Sequence, residues 1–265
     1  MAIRSVAGSI RVGVGGWTYE PWRETFYPAD VPKARELHYA SRALTAIEVN
    51  GTFYRTQKPE TYVKWRDETP EGFMFSLKAP RYATQRKVLA EAGSSIQRFI
   101  DSGISELGAK LGPLLWQIDP RHKFEPEDLD RFLSLLPKQH RNVLEVRHES
   151  FMCTEFVSLV RSHRVATVFA DTDEYPSFAD ITADFVYGRL MRCASSCETG
   201  YAADQLDRWA TNARTWSSGG EPRDVKKLDP SPAKKTPRDV FLFFISGAKE
   251  RAPGAARALI SRLNA

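Results

Sequence analysis

Along most of the chain, short apolar runs alternate with longer stretches in which apolar positions recur every three or four residues. The short runs read as strands covered on both faces, and the longer stretches as amphipathic crossover helices. Strands are predicted over residues 11–14, 46–49, 73–77, 114–118, 143–146, 166–170, 185–190 and 240–244. Helical periodicity fills residues 32–43, 60–67, 95–105, 126–136, 154–162, 203–216 and 253–263. Only a polar turn, residues 171–183, separates the sixth strand from the seventh, so one crossover helix is short or missing. Eight strands with near-regular crossovers predict an α/β fold, a single closed (β/α)8 TIM-type barrel over residues 1–265. An open doubly wound sheet is the competing arrangement, and no Gly-x-Gly-x-x-Gly turn follows the first strand to support it.

Two segments break the rhythm. Residues 79–92 follow the third strand and carry Arg81, Arg86 and Lys87 beside Tyr82; barrel polarity puts them on the catalytic face as a candidate lid. Residues 217–239, rich in Ser, Gly, Pro and Lys, run from the last-but-one helix into the eighth strand, a polar loop expected on the N-terminal face. Its Lys226, Lys227, Lys234 and Lys235 read as a solvated tether rather than a ligand site.

The strand at residues 46–49 is the informative one. Ile47 and Val49 alternate with Glu48 and Asn50, and a strand buried on both sides should not carry two polar side chains unless they face a polar site. In a barrel, chemistry belongs at the carboxyl ends of the strands. Those ends supply Trp17 and Tyr19 after the first, Glu48, Asn50 and Tyr54 at the second, Lys78 at the third, Gln117 at the fourth, Glu145 and Arg147 at the fifth, Asp171 at the sixth and Arg189 at the seventh. Each ionisable group would be costly to bury alone, so mutual pairing in a polar pocket is expected. Glu48, Glu145 and Lys78 are the candidate catalytic groups; Trp17, Tyr19, Asn50, Tyr54, Gln117, Arg147, Asp171 and Arg189 are candidate substrate contacts. The plainer alternative is a structural ion-pair ring, with Arg147 satisfying Glu145 or Glu48 and Lys78 satisfying Asp171. For Trp17, Trp22, Phe26 and Tyr27 the alternative is a hydrophobic plug packing the first loop.

Composition narrows this little. A chain that is 42% hydrophobic can bury a large core, and the net charge of +5 makes polyanions conceivable partners. No apolar run approaches the length of a membrane span or a leader, so no membrane is expected and the chain reads as cytoplasmic. Three cysteines, an odd number, argue for a reducing compartment rather than a disulfide framework. Cys153, Cys193, Cys197 and His148 fall in loops of one predicted face and have the ligand count of a zinc site, but their spacing is unusual for one and packing is the simpler expectation.

Several motifs carry a resemblance. Gly15-Gly16-Trp17-Thr18-Tyr19 with Trp22 and Phe26-Tyr27-Pro28, then Glu48-Val49-Asn50-Gly51-Thr52-Phe53-Tyr54-Arg55, Leu111-Gly112-Pro113 with Gln117, Glu145-Val146-Arg147-His148, and Tyr201 with Leu206 and Trp209, resemble the YecE-like family, the domain of unknown function 72. The resemblance implies a TIM-type barrel and no established activity. It also exposes departures: Thr84-Gln85 where the family usually has Thr-His, Arg189, Met191 and Arg192 where it has Arg-x-His-Gly, and Phe244, Ile245 and Ser246 where it has Phe-Asn-Asn. Two histidines and two amides are thus absent from one face, which puts any reaction needing a histidine base there in doubt.

The remaining chemistry is limited. Of five histidines only His122 and His148 follow strands, too few for a multi-metal phosphodiesterase, and no cofactor is expected. Glu48 and Glu145 could flank a glycosidic bond, but Lys78, Arg147 and Arg189 suit an anion better. The expected function is an enzyme acting on a small or terminal phosphate- or carboxylate-bearing molecule by general acid/base chemistry at an anion-binding pocket. The alternative is a binding module, either catalytically lapsed or taking nucleic acid on Arg81, Arg86, Lys87 and Arg192; the acidity of Glu48, Glu145 and Asp171 disfavours nucleic acid.

Overall fold

The computed structural model describes residues 7–23 and 25–265. Eight parallel strands close in sequence order, β1 (Ile10–Gly15) pairing with β2 (Ala46–Val49), then β3 (Met74–Lys78), β4 (Leu111–Gln117), β5 (Asn142–Glu145), β6 (Ala166–Asp171), β7 (Phe185–Leu190) and β8 (Asp239–Phe244), which returns to β1. This is the predicted TIM-type barrel. The crossovers contain α1 (Glu36–Ala43), α2 (Gly51–Tyr54), α3 (Pro59–Glu68), α4 (Arg81–Thr84), α5 (Gly93–Ile100), α6 (Pro126–Leu135), α7 (Thr154–Ser162) and α8 (Ala203–Ser217), and α9 (Ala252–Asn264) follows β8. No helix spans the segment between β6 and β7, as the polar turn there implied. No helix among the described residues is long and apolar enough to cross a membrane.

Period-two alternation sorts each strand. Outward residues such as Val12, Val14, Ile47, Phe75, Leu114, Trp116, Leu144, Leu242 and Phe244 join the helices in one large apolar layer. Inward residues fill the lumen: Ala46, Leu115, Val143, Val168, Phe185, Tyr187, Phe241 and Phe243 form a packed plug rather than a pore. One step further along the same inward rows the side chains turn polar, giving Glu48 above Ala46, Gln117 above Leu115, Glu145 above Val143 and Arg189 above Tyr187. The β3–β4 register slips between Phe75 and Leu77, opposite Gly112 and Pro113, where proline offers no N–H to the ladder.

Both irregular segments are more firmly held than expected. In the candidate lid, the Leu89 and Ala90 amides donate to the Asp128 carboxylate at 2.9 and 2.8 Å, and Leu89 is fully buried. That ties the far end of the candidate lid to α6. The loop after α8 is a strap tied down along its length, although Lys226, Lys234 and Lys235 stay exposed, as the reading of a solvated segment expected. The Asp180 carboxylate accepts from the amides of Leu228 and Asp229 at 2.8 and 2.9 Å, Glu221 accepts from the Ala233 amide at 2.9 Å, and Arg161 pairs with Asp229 at 2.6 Å. Lys227 is spent on Glu221 at 2.7 Å.

Candidate functional site

At the carboxyl ends of the strands, residues far apart in the chain share one buried network. Arg189 lies at its centre. Its Nη1 donates to both Glu145 oxygens at 2.8 Å, and its Nη2 donates to Glu48 Oε1 at 3.1 Å. Glu145 also accepts from Gln117 Nε2 at 2.6 Å and from Arg147 Nε and Nη2 at 3.1 and 3.0 Å. Below this ring the Tyr187 hydroxyl donates to Glu48 Oε2 at 2.8 Å. Ser76 Oγ, 2.8 Å from that phenol and 2.9 Å from the Pro113 carbonyl, gives its single proton to one of the two. Glu48 is 0% exposed, and Glu145 and Arg189 2% each.

Charge and burial compete here, and the pairing wins. Burial alone would raise the Glu145 pKa, but the Arg189 and Arg147 guanidiniums hold it down at about 2. Burial likewise opposes the charge on Arg189, and Glu145 and Glu48 raise its pKa above the ordinary value. The Tyr187 hydroxyl is pushed well above its usual range, first by burial and then by Glu48. Glu145 is thus a fixed anion near neutral pH, an anchor for the guanidiniums and a poor proton donor.

Lys78 differs. Its ammonium sits 4.0 Å from the centre of the Phe53 ring and forms no ion pair or hydrogen bond with any described side chain. At 8% exposure, burial and then Arg189 lower its pKa from the ordinary 10.5 to about 8, although Glu48 and Glu145 pull the other way. It is thus placed to change protonation near neutral pH.

The other candidates are distributed differently. Asp171 belongs to a neighbouring cluster: it accepts from Arg192 Nε and the Tyr201 hydroxyl, both at 2.9 Å, while Arg192 is also clamped on Asp173 at 2.6 and 2.7 Å. Lys78 therefore does not satisfy Asp171, and Arg192 is not a free anion receptor. Asn50 sits over the end of β1, where a Cβ on Gly15 would lie 2.9 Å from both Asn50 Nδ2 and Ile245 Cδ1. Trp17 is outside the barrel, its ring 5.2 Å from Trp65 and 6.4 Å from Phe75, which is the plug reading and not a stacking platform. Tyr19 packs on Trp22 at 5.7 Å with Lys249 above its ring, and Tyr54 is 69% exposed. None of these three touches the central network.

Sequence reasoning missed Ser76, Tyr187, Phe53 and Tyr175, the last lying 4.2 Å beneath the Arg147 guanidinium. The signal for two of them was available: stepping back two residues from Lys78 and Arg189 along an inward row lands on Ser76 and Tyr187. The zinc arrangement of the cysteines is not built. Among the described residues no group of three or more His, Cys, Asp or Glu could hold a metal ion, and His148 Nδ1 is engaged with Ser150. Cys193 is a buried thiol packed near Gly200, its pKa pushed by burial to about 12.

A closed eight-stranded parallel barrel with a buried carboxylate–guanidinium cluster at its carboxyl ends defines a TIM-barrel protein with a polar mouth. The chain belongs to the family described as protein of unknown function DUF72, whose model matches residues 11–265. Among relatives, the YecE protein of Escherichia coli K12 is 26% identical over 145 residues, covering 54% of this chain, and the match spans only 50% of YecE itself. Solved structures share the fold, two of them DUF72 family proteins. A DUF72 family protein from Thermotoga maritima is 22% identical with a TM-score of 0.74 over 97% of this chain and 100% of its own. Another from Enterococcus faecalis is 16% identical with a TM-score of 0.71, covering 97% and 98%.

Proposed function

We propose that this protein is an enzyme that takes a small phosphate- or carboxylate-bearing molecule at the barrel mouth, with Lys78 as the proton-transferring group. The observation that carries the reading is the state of Lys78: a buried ammonium without a carboxylate partner, poised to titrate at about pH 8, beside a network that has already neutralised both carboxylates. Glu48 and Glu145 contribute two negative charges to the mouth, and Lys78, Arg147 and Arg189 three positive ones. The surplus favours an anion, and the low dielectric strengthens its attraction. Arg189 Nε adds a buried donor with no partner among the described residues. The general acid/base role assigned to Glu145 from its position in the sequence passes to Lys78, because Arg189 and Arg147 keep Glu145 ionised. Glu48 is tied to Arg189 and Tyr187 and serves to orient both.

A second reading, a barrel that holds its ligand without turning it over, draws on the near-complete exclusion of Glu48, Glu145 and Arg189 from solvent. Isothermal titration with inorganic phosphate and small organic phosphates and carboxylates, comparing the native chain with Arg147→Ala, tests the binding that both share. Heats should shrink in the variant and with rising salt, as for an electrostatic attraction. Equal heats from both proteins would remove the anion from the mouth. Turnover of a bound ligand separates enzyme from holder.

A further inference from the structure

The other end of the barrel holds a second concentration of charge. A cleft of ≈ 800 Å³ opens between the loop leading into β5, the C-terminal turn of α7, the segment entering β7 and the strap before β8. Six cations line it, Lys138, Arg141, Arg161, Arg164, Lys234 and Arg238, against a single acid, Asp184. Two are neutralised nearby: Arg141 pairs with Asp239 at 2.7 Å and lies over the Phe185 and Phe241 rings that floor the barrel, and Arg161 pairs with Asp229 at 2.6 Å. Lys138, Arg164 and Lys234 form no ion pair among the described residues. Arg238 is 2% exposed; its guanidinium donates to the backbone carbonyls of Gly220, at 3.1 Å, and Lys234, and the Glu221 carboxylate lies near enough to favour its charge. Burial still outweighs Glu221 and lowers the Arg238 pKa, so a further anion in the cleft would favour its charged form.

Arg164 adds a conformational sign of the same kind. It closes α7 with φ 56°, the Val165 amide returning to the Val160 carbonyl at 3.1 Å, a helix end that glycine or asparagine occupies at lower cost. An arginine held there, exposed and lining the cleft, keeps a cation at this edge at the expense of backbone strain. Burial lowers the pKa of His140, also in the lining, so the imidazole stays neutral near pH 7 and the fixed cations dominate.

We propose that this cleft binds a small molecule carrying two or more linked phosphate groups, at a site separate from the barrel mouth. Lys138, Arg164 and Lys234, three cations without an ion pair among the described residues, face one lining acid, Asp184, a surplus that matches a diphosphate or triphosphate better than a monophosphate. A volume of ≈ 800 Å³ suits a single small-molecule ligand, whereas a nucleic acid needs a charged stripe along a surface. A ligand spanning Arg164, just after α7, and Lys234 and Arg238 on the strap would tie the strap to the barrel floor. The proposal is independent of the reading of the mouth.

Titration calorimetry with tripolyphosphate, pyrophosphate and inorganic phosphate tests it on the full chain. The expected result is saturable binding in the order tripolyphosphate, pyrophosphate, phosphate, weakened about tenfold or more in Arg164→Gly and in Lys234→Ala, since one lost charge-assisted contact has about that weight. Arg147→Ala, which weakens only the mouth, should keep the saturable tripolyphosphate binding that Arg164→Gly and Lys234→Ala weaken. Arg164→Gly relieves the backbone strain, so it should fold, and Lys234→Ala changes only a strap side chain. Absence of saturable tripolyphosphate binding overturns the site. So does loss in Arg147→Ala with retention in Arg164→Gly, which would place the ligand at the mouth, or binding of a single-stranded oligonucleotide that tripolyphosphate fails to displace.

Discussion

Glu145 is the residue whose environment does most to decide the behaviour of the mouth. Five donor contacts from Arg189, Arg147 and Gln117 hold it ionised, at a pKa of about 2 against an ordinary 4.5. A carboxyl depressed in the folded state stabilises fully above its unfolded pKa and loses that contribution as pH falls through the folded one. Stability should therefore fall between pH 4.5 and about 2. Replacing Glu145 with Gln should flatten that part of the urea-midpoint profile. It should also cost about 3–5 kcal/mol at pH 7, because Arg189 is left with Glu48 alone in a solvent-free position. A profile as steep in Glu145→Gln as in the native chain would show that other carboxyls carry the acid limb. The residue types at the strand ends were legible in the sequence, since polar side chains on rows that should be apolar demand a partner. The identity of each partner was not. Lys78 and Asp171 look complementary as letters, yet Asp171 turns to Arg192 and Tyr201 while Lys78 rests on Phe53.

At the scale of elements, strands were easier to read than the segments between them. Hydrophobic runs fix a strand to within a residue or two because every second side chain must enter the lumen, and β4 began three residues early only because Leu111, Gly112 and Pro113 extend it where the register slips. Loops carry no such periodicity. Their order is set by single side-chain-to-backbone bonds, such as Asp128 on Leu89 and Ala90 or Asp180 on Leu228 and Asp229, that composition does not reveal. The segment after β3 is accordingly an anchored cover. Asp128→Ala should accelerate amide hydrogen exchange at residues 89 and 90 by at least tenfold while leaving β3 and β4 protected, since each lost bond to a charged group has a weight of about 1.5–3 kcal/mol. Unchanged exchange would mean that burial of Leu89 alone holds the segment.

For the whole molecule, the two ends of the barrel divide the labour of charge. The apolar plug of Val143, Val168, Phe185, Phe241 and Phe243 separates the cluster at the mouth from the cationic cleft beneath the strap. The Glu48, Glu145 and Arg189 network joins β2, β5 and β7, strands that share no ladder, so it braces the barrel across its lumen as well as shaping the mouth. With both carboxylates committed to that brace, the proposed function rests on Lys78 as the group that would receive a ligand. The decisive test is calorimetric titration of inorganic phosphate and a small carboxylate into the native chain and Lys78→Met, at pH values on either side of about 8. In the native chain binding should weaken as pH rises through about 8, where the ammonium loses its proton, and in Lys78→Met it should be at least tenfold weaker and indifferent to that pH step. Equal affinity in the two proteins, or the same pH dependence in both, would mean that Lys78 is buried for packing alone and that the mouth is a structural ion-pair ring.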